Sequence, residues 1–217
     1  MPTTTRRPAA GKRQAPRTGT RKKRQSFPFR PLILLLLVIV AMGVIVNLLA
    51  RSPLFNQDRV PGWVDVQLIQ VNGAGRRGER LADVKDIAIH YVGNPGTTAQ
   101  QNHDFFDQPD TTVSAHFLIG LEGEVIQCIP LSEKSSATNE RNLDTISIEV
   151  CHPEVNGKFT DASYASLVKL TAWLCDHFDL GREHVIRHYD VTGKLCPLYF
   201  VENPAAWEQF LQDVKDY

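Results

Sequence analysis

Val84–Val92 (VKDIAIHYV) and Thr145–Cys151 (TISIEVC) are apolar, partly β-branched runs, and each carries one chemically active side chain near its end, His90 and Glu149. Runs of this kind suit strands. Side chains alternate across a strand, so Ile148 and Val150 point to one face and Glu149 to the other, where a cleft can expose it. Thr112–Gly120 (TVSAHFLIG) and Glu124–Pro130 (EVIQCIP) have the same character. The turn Leu121–Glu122–Gly123 between them predicts a hairpin. His184–Arg187 reads as a short fifth strand.

Helical periodicity fills the gaps. Tyr164, Leu167, Val168, Thr171, Leu174, Cys175 and Phe178 recur at three-and-four spacing, with Thr160 as the cap. Asn203–Pro204 places a cap before a proline at the first helical position, and Trp207, Phe210, Leu211 and Val214 share one face behind it. Thr98–Asp107 reads as a third helix. Strands interleaved with helices predict an α/β domain over residues 64–217, a central mixed β-sheet flanked by helices and without internal repeats.

Upstream the composition changes abruptly. Residues 1–30 hold ten Lys/Arg and no acidic residue. The thirteen basic residues after Arg51 face all 24 acidic ones, which leaves that part at a net −11. A basic arm can touch anionic lipid, but an acidic body repels phosphate, so a nucleic-acid partner is not expected. Between arm and body, Leu32–Ala50 (LILLLLVIVAMGVIVNLLA) carries no charge over nineteen residues. A helix of that length is roughly 28 Å long, close to the thickness of a bilayer's hydrocarbon core. A signal-peptide core is shorter, about 7–15 residues, and Leu48 at the −3 position from Ala50 suits a signal peptidase poorly. A helix at residues 32–50 is therefore expected to hold the chain in the plasma membrane. Residues 1–31 are then expected to form a disordered cytoplasmic arm and residues 51–63 a linker, with the body outside the cell.

Zinc hydrolases take three protein ligands from His, Cys or carboxylate and leave one position open. Seven histidines and four cysteines offer many candidates. His90 stands just before the turn Gly93–Asn94–Pro95–Gly96, and His188 and Cys196 bracket the compact loop HYDVTGKLCP. Such a loop can bring both donors to one metal, although spacing alone leaves an ordinary packed or solvated role open. His116 reads as near the cleft, His152 as structural, and His103, His177 and His184 as solvated or helix-face residues. Cys128, Cys151 and Cys175 read as small core residues, and no essential disulfide is expected in a domain of this size.

Four segments in order, IAIHYVGNPGTTAQQN, VSAHFLIGLEGEVIQCIP, NLDTISIEVCHPE and VIRHYDVTGKLCP, resemble the successive motifs of the type 2 N-acetylmuramoyl-L-alanine amidases. That family includes phage lysozyme-like amidases and is related to peptidoglycan recognition proteins. The resemblance runs from about Asn72 to the end of the chain. It implies Zn2+ held by His90, His188 and Cys196, with Glu149 as general acid/base and Lys194 facing the oxyanion. Some members carry a tyrosine just before the histidine of the VSAHF-like strand. Ala115 stands there in this chain, which shifts weight onto Glu149 and Lys194.

The implied reaction is hydrolysis of the amide between N-acetylmuramic acid and L-alanine in peptidoglycan, by a monomer facing the wall. Two rival readings remain: a non-catalytic peptidoglycan-binding module of the same fold, and a zinc amidohydrolase acting on another N-acyl peptide. The topology has a direct test. Protease added to intact spheroplasts should digest the body and spare the arm, and a protected body would reverse the orientation.

Overall fold

The computed structural model describes residues 29–50, 58–71 and 73–217. The expectations for the basic arm and the start of the linker fall mostly on residues 1–28 and 51–57, outside the described residues. The chain divides into two units, residues 1–50 and 51–217. In the first, α1 (Arg30–Ala50) contains a stretch, Pro31–Leu48, long and apolar enough to cross a membrane. Side chains 31–48 are exposed on every side of it. A helix that is apolar all round has no polar face to give to water.

In the second unit, alternation builds one six-stranded sheet among the described residues. Its strands are β1 (Asp65–Val66), β2 (Asp86–Tyr91), β3 (Phe117–Ile119), β4 (Val125–Gln127), β5 (Thr145–Val150) and β6 (Val185–Arg187). Their order is β1-β4-β3-β5-β2-β6. β3 and β4 form the expected antiparallel hairpin and every other pair is parallel, so the sheet is mixed. Thr112–Gly120 supplies a shorter strand than its composition predicts. Ser114 instead bridges to Ser136, and only Phe117–Ile119 joins the sheet. The edge strand β1, two residues long, carries no readable signal.

The helices of this unit are α2 (Ala99–Phe106), α3 (Asp161–Phe178), α4 (His188–Thr192), α5 (Leu198–Glu202) and α6 (Pro204–Asp216). Thr98 caps α2 through a capping box, its hydroxyl accepting from Gln101 N at 3.1 Å while Gln101 Oε1 accepts from Thr98 N at 2.9 Å. Thr160 caps α3 as expected, accepting from Ser163 N at 3.0 Å. Asn203 stands at the N-cap of α6 as expected, but its side chain makes no capping bond. The side chain donates back to Tyr199 O at 3.0 Å, because the residue also closes α5. Pro204 still starts the helix.

The sheet separates two cores. On one face Ile87, Ile89, Ile146, Ile148 and Val150 pack against α3, α5 and α6 through Leu167, Leu174, Phe200, Trp207 and Phe210. Phe117, Phe200 and Phe210 are fully buried there, and burial of each contributes about 1.5–3 kcal/mol. A smaller core on the other face joins Ala99 and Phe106 of α2 to Leu118, Ile126 and Cys128. Residues 58–63, read from sequence as the end of a linker, are held to the body. Asp58 accepts from Ser132 N and Oγ at 2.7 and 2.8 Å, and Val60 packs on the main core.

The β3–β4 turn sits on the amino end of α3. Thr160 Oγ1 donates to Leu121 O, Ser163 Oγ to Gly120 O and Ser166 Oγ to Gly123 O, at 2.6–2.7 Å. Gly123 has φ +82°, and a Cβ there would lie 2.8 Å from Ala162 O. Gly123→Ala should therefore destabilise the body by about 1–3 kcal/mol. Gly62→Ala, at a glycine with open space around it, should change stability by less than about 0.5 kcal/mol. Thermal unfolding of both variants checks the difference, and equal midpoints would remove the steric argument.

Candidate metal centre and cleft

Register brings the chemistry together. β2 and β5 run parallel with His90 opposite Glu149. Ile89 and Ile148 point into the main core, so both polar side chains stand on the other face. β6 flanks β2 with Arg187 opposite Ile89, and the next residue, His188, emerges beside His90. Their ring centroids are 4.7 Å apart. The segment read as a loop begins with one turn of helix, α4. Gly193, at φ +75°, ends that turn in a left-handed conformation suited to glycine. Tyr189 N donates to Cys196 O at 2.9 Å and closes the return.

His90, His188 and Cys196 are all buried, and their donor atoms lie within 4.8 Å of one another. Cys196 Sγ is 3.8 Å from His90 Nδ1, and Glu149 Oε1 is 3.9 Å from the same nitrogen. Burial, with the His188 ring and the Lys194 ammonium nearby, holds His90 well below the ordinary histidine value. Burial, then Lys194, lowers His188 as well. Both shifts favour the neutral imidazole, the form that can ligate a metal. Burial and the Glu149 carboxylate push the Cys196 thiol up to about 12. Burial raises Glu149 to about 8, against the pull of Lys194.

This donor set fits zinc. Among the described residues His188 Nδ1 and Glu149 Oε2 are buried without a hydrogen-bond partner, whereas buried polar atoms are nearly always satisfied. Two buried imidazoles and a thiol that a dication would ionise make a closed-in, three-ligand set of the zinc type. Glu149 is the carboxylate left over beside it.

The centre opens into a cleft of ≈ 430 Å³ whose walls include Tyr91, Asn102, Phe105, Glu149, His188 and Lys194. Lys194 is exposed there, directly after Gly193. A larger concavity of ≈ 690 Å³, lined by Trp63, Lys169, Trp173 and Tyr217, holds none of these donors. Donor chemistry, not size, marks the cleft.

The remaining histidines have other duties. His116 does not face the cleft. It is fully buried, accepts from Ser147 N at 3.0 Å through Nδ1 and meets Glu133 O at 2.9 Å through Nε2. It ties β3 to β5. His103 is buried rather than solvated, with Nε2 at 2.8 Å from Gln67 O. His184 Nδ1 lies 3.1 Å from Asp86 Oδ1 at the start of β2. His152 stacks on Tyr91. Cys128, Cys151 and Cys175 are buried free thiols, and Ala115 is packed in the smaller core. Two residues at the centre carry no sequence signal. Thr138 Oγ1 lies 3.2 Å from His90 Nε2, and Asn139 Oδ1 lies 2.8 Å from His188 Nε2.

A family model for N-acetylmuramoyl-L-alanine amidases matches residues 80–198. The chain is 29% identical over 163 residues to the N-acetylmuramoyl-L-alanine amidase CwlL of Bacillus licheniformis, covering 67% of this chain and 45% of that protein. It is also 29% identical over 168 residues to the N-acetylmuramoyl-L-alanine amidase BlyA of Bacillus subtilis (strain 168), covering 68% and 45%. The chain thus spans less than half the length of these curated relatives. Among solved structures, the catalytic domain of XlyA superimposes with a TM-score of 0.61 at 25% identity, covering 70% of this chain and 98% of that one. The family match takes in more than half of the 217 residues and contains His90, Glu149, His188, Lys194 and Cys196, so the chain belongs to the N-acetylmuramoyl-L-alanine amidase family.

Proposed function

We propose that the body hydrolyses the amide joining the lactyl group of N-acetylmuramic acid to L-alanine in peptidoglycan, with zinc held by His90, His188 and Cys196. The observation that carries this reading is a buried three-donor set sharing one cleft with a carboxylate and a lysine. When bound, zinc polarises a carbonyl and lowers the pKa of a water from 15.7 to about 7. Glu149 takes the proton from the attacking water as its oxygen adds to the carbonyl carbon. It then returns that proton to the nitrogen as the C–N bond breaks, releasing the lactyl carboxylate and the free amine of L-alanine. Lys194 places its ammonium beside the oxygen that gains charge. With Ala115 buried where some relatives are expected to carry tyrosine, no such hydroxyl shares this task.

The presence of Cys196 favours an enzyme over a binding module of the same fold. Residues 32–50 anchor the protein in the plasma membrane with the amino end inside, and the body works outside as a monomer on the wall. The acidic body has no nucleic-acid partner in this reading.

Zinc should co-purify one to one with the full chain in detergent, leave with activity on chelation and restore activity on return. Cys196→Ser should weaken metal binding more than any serine substitution at Cys128, Cys151 or Cys175. Activity that survives complete removal of metal would end the zinc reading. Glu149→Gln should keep zinc and peptidoglycan binding but lose at least about a hundredfold in turnover, and Lys194→Ala should lose a similar or smaller factor. Mass spectrometry of digested peptidoglycan should show stem peptides with a free L-alanine amine. Near wild-type turnover in a zinc-loaded Glu149→Gln protein would remove Glu149 as acid/base, and cuts within the disaccharide would overturn the amidase assignment.

A further inference from the structure

Thr138 and Asn139 are adjacent in sequence, and each meets the outer nitrogen of a different donor histidine. Thr138 is fully buried, with Oγ1 3.2 Å from His90 Nε2. Asn139 Oδ1 is 2.8 Å from His188 Nε2. An amide oxygen only accepts, so this contact requires a proton on Nε2 of His188 and leaves the lone pair on Nδ1. That Nδ1 is a buried atom with no hydrogen-bond partner among the described residues. The Thr138 hydroxyl, which can donate or accept, holds the His90 ring at Nε2 without dictating its tautomer, while Nδ1 lies 3.8 Å from Cys196 Sγ.

The pair is itself firmly held. Asn142 Oδ1 accepts from Ala137 N at 3.0 Å and from Thr138 N at 2.6 Å. Arg141 Nε donates to Asp144 Oδ1 at 2.7 Å, and the same guanidinium is paired with Asp86 at the start of β2. The segment is thus fastened to the strand that carries His90. Asn139 also has φ +53°. Side chains other than glycine rarely adopt that conformation, and asparagine tolerates it better than most. Glycine would serve the backbone better, and asparagine adds a side-chain acceptor that glycine lacks.

We infer that Thr138–Asn139 is the positioning element of the metal centre, and that Asn139 sets the tautomer and ring angle of His188 and thereby the affinity for zinc. The inference rests on the zinc reading above. Neither residue is among the three donors; each acts through a histidine. Groups in this role orient the ligand and raise its basicity, and their loss typically costs about 10–100-fold in metal affinity.

The test uses the full chain in detergent, with zinc affinity measured by chelator competition and thermal midpoints measured on the metal-free protein. Asn139→Gly keeps the left-handed backbone and removes the acceptor. It should bind zinc about 10–100-fold more weakly, with a metal-free midpoint equal to or above that of the wild type. Asn139→Asp keeps an oxygen acceptor and should recover most of the affinity. If the wild type binds zinc and Asn139→Gly binds it equally well, the inference falls and Asn139 is only a turn residue. A glycine variant that loses affinity together with metal-free stability, or an aspartate variant no better than glycine, overturns it equally. A wild-type protein that binds no zinc overturns both the inference and the reading beneath it.

Discussion

The parallel pairing of β2 with β5, in the register that sets His90 opposite Glu149, is the constraint on which the site depends. Side chains on a strand alternate, so a slip of one strand by one residue would turn its polar group into the main core and bring its isoleucines out to the cleft. That slip is opposed by every apolar residue on the buried face. Ile87, Ile89, Ile146, Ile148 and Val150 all lie in one packed cluster with α3, α5 and α6. The hydrophobic effect on one side of the sheet thereby sets the geometry of the chemistry on the other.

This division of labour explains why the cleft face can hold groups that contribute nothing to stability by themselves. Burial disfavours the charged forms of Glu149 and of the Cys196 thiol, and Glu149 Oε2 and His188 Nδ1 lack hydrogen-bond partners among the described residues. Each such group costs free energy. The opposite face offsets that cost through an aromatic cluster in which Phe200 packs against Phe159, Trp207 and Phe210 with ring centroids 5.3–5.5 Å apart. Hydroxyl caps add to it by holding the β3–β4 turn on α3. Strength is built where no chemistry happens, and a dication among the donors would relieve the rest.

The same fold shows how a short return can carry two donors. One turn of helix, a left-handed glycine and a backbone bond from Tyr189 to Cys196 bring residues 188 and 196 to the same point. Lys194 falls on the exposed side of that return, at the mouth of the cleft. Ligand and charged neighbour are thus separated by burial within three residues. Gly193 is what permits the turn, and Cys196 is what closes it.

Much of this was legible in the residues themselves, because it depends on local periodicity. Two-residue alternation placed Glu149 opposite its apolar neighbours. Three-and-four spacing placed α3 and α6, and a charge-free run of nineteen residues marked a helix able to cross a membrane. The motif resemblance singled out His90, His188 and Cys196, which the fold brings within 4.8 Å of one another, since motif order survives where sequence identity is low. Partnership between distant residues was not legible. His116 has the composition of a cleft histidine but is locked between β3 and β5, and Asn203 has the composition of a cap but bonds backward to Tyr199. Thr138 and Asn139 stand 48 and 49 residues from the histidines they meet, and His90 stands 106 residues from Cys196. No local pattern encodes such contacts. They exist only once the sheet has paired, because strand register and packing, rather than any propensity of the residues, decide which side chains come within a hydrogen bond's length.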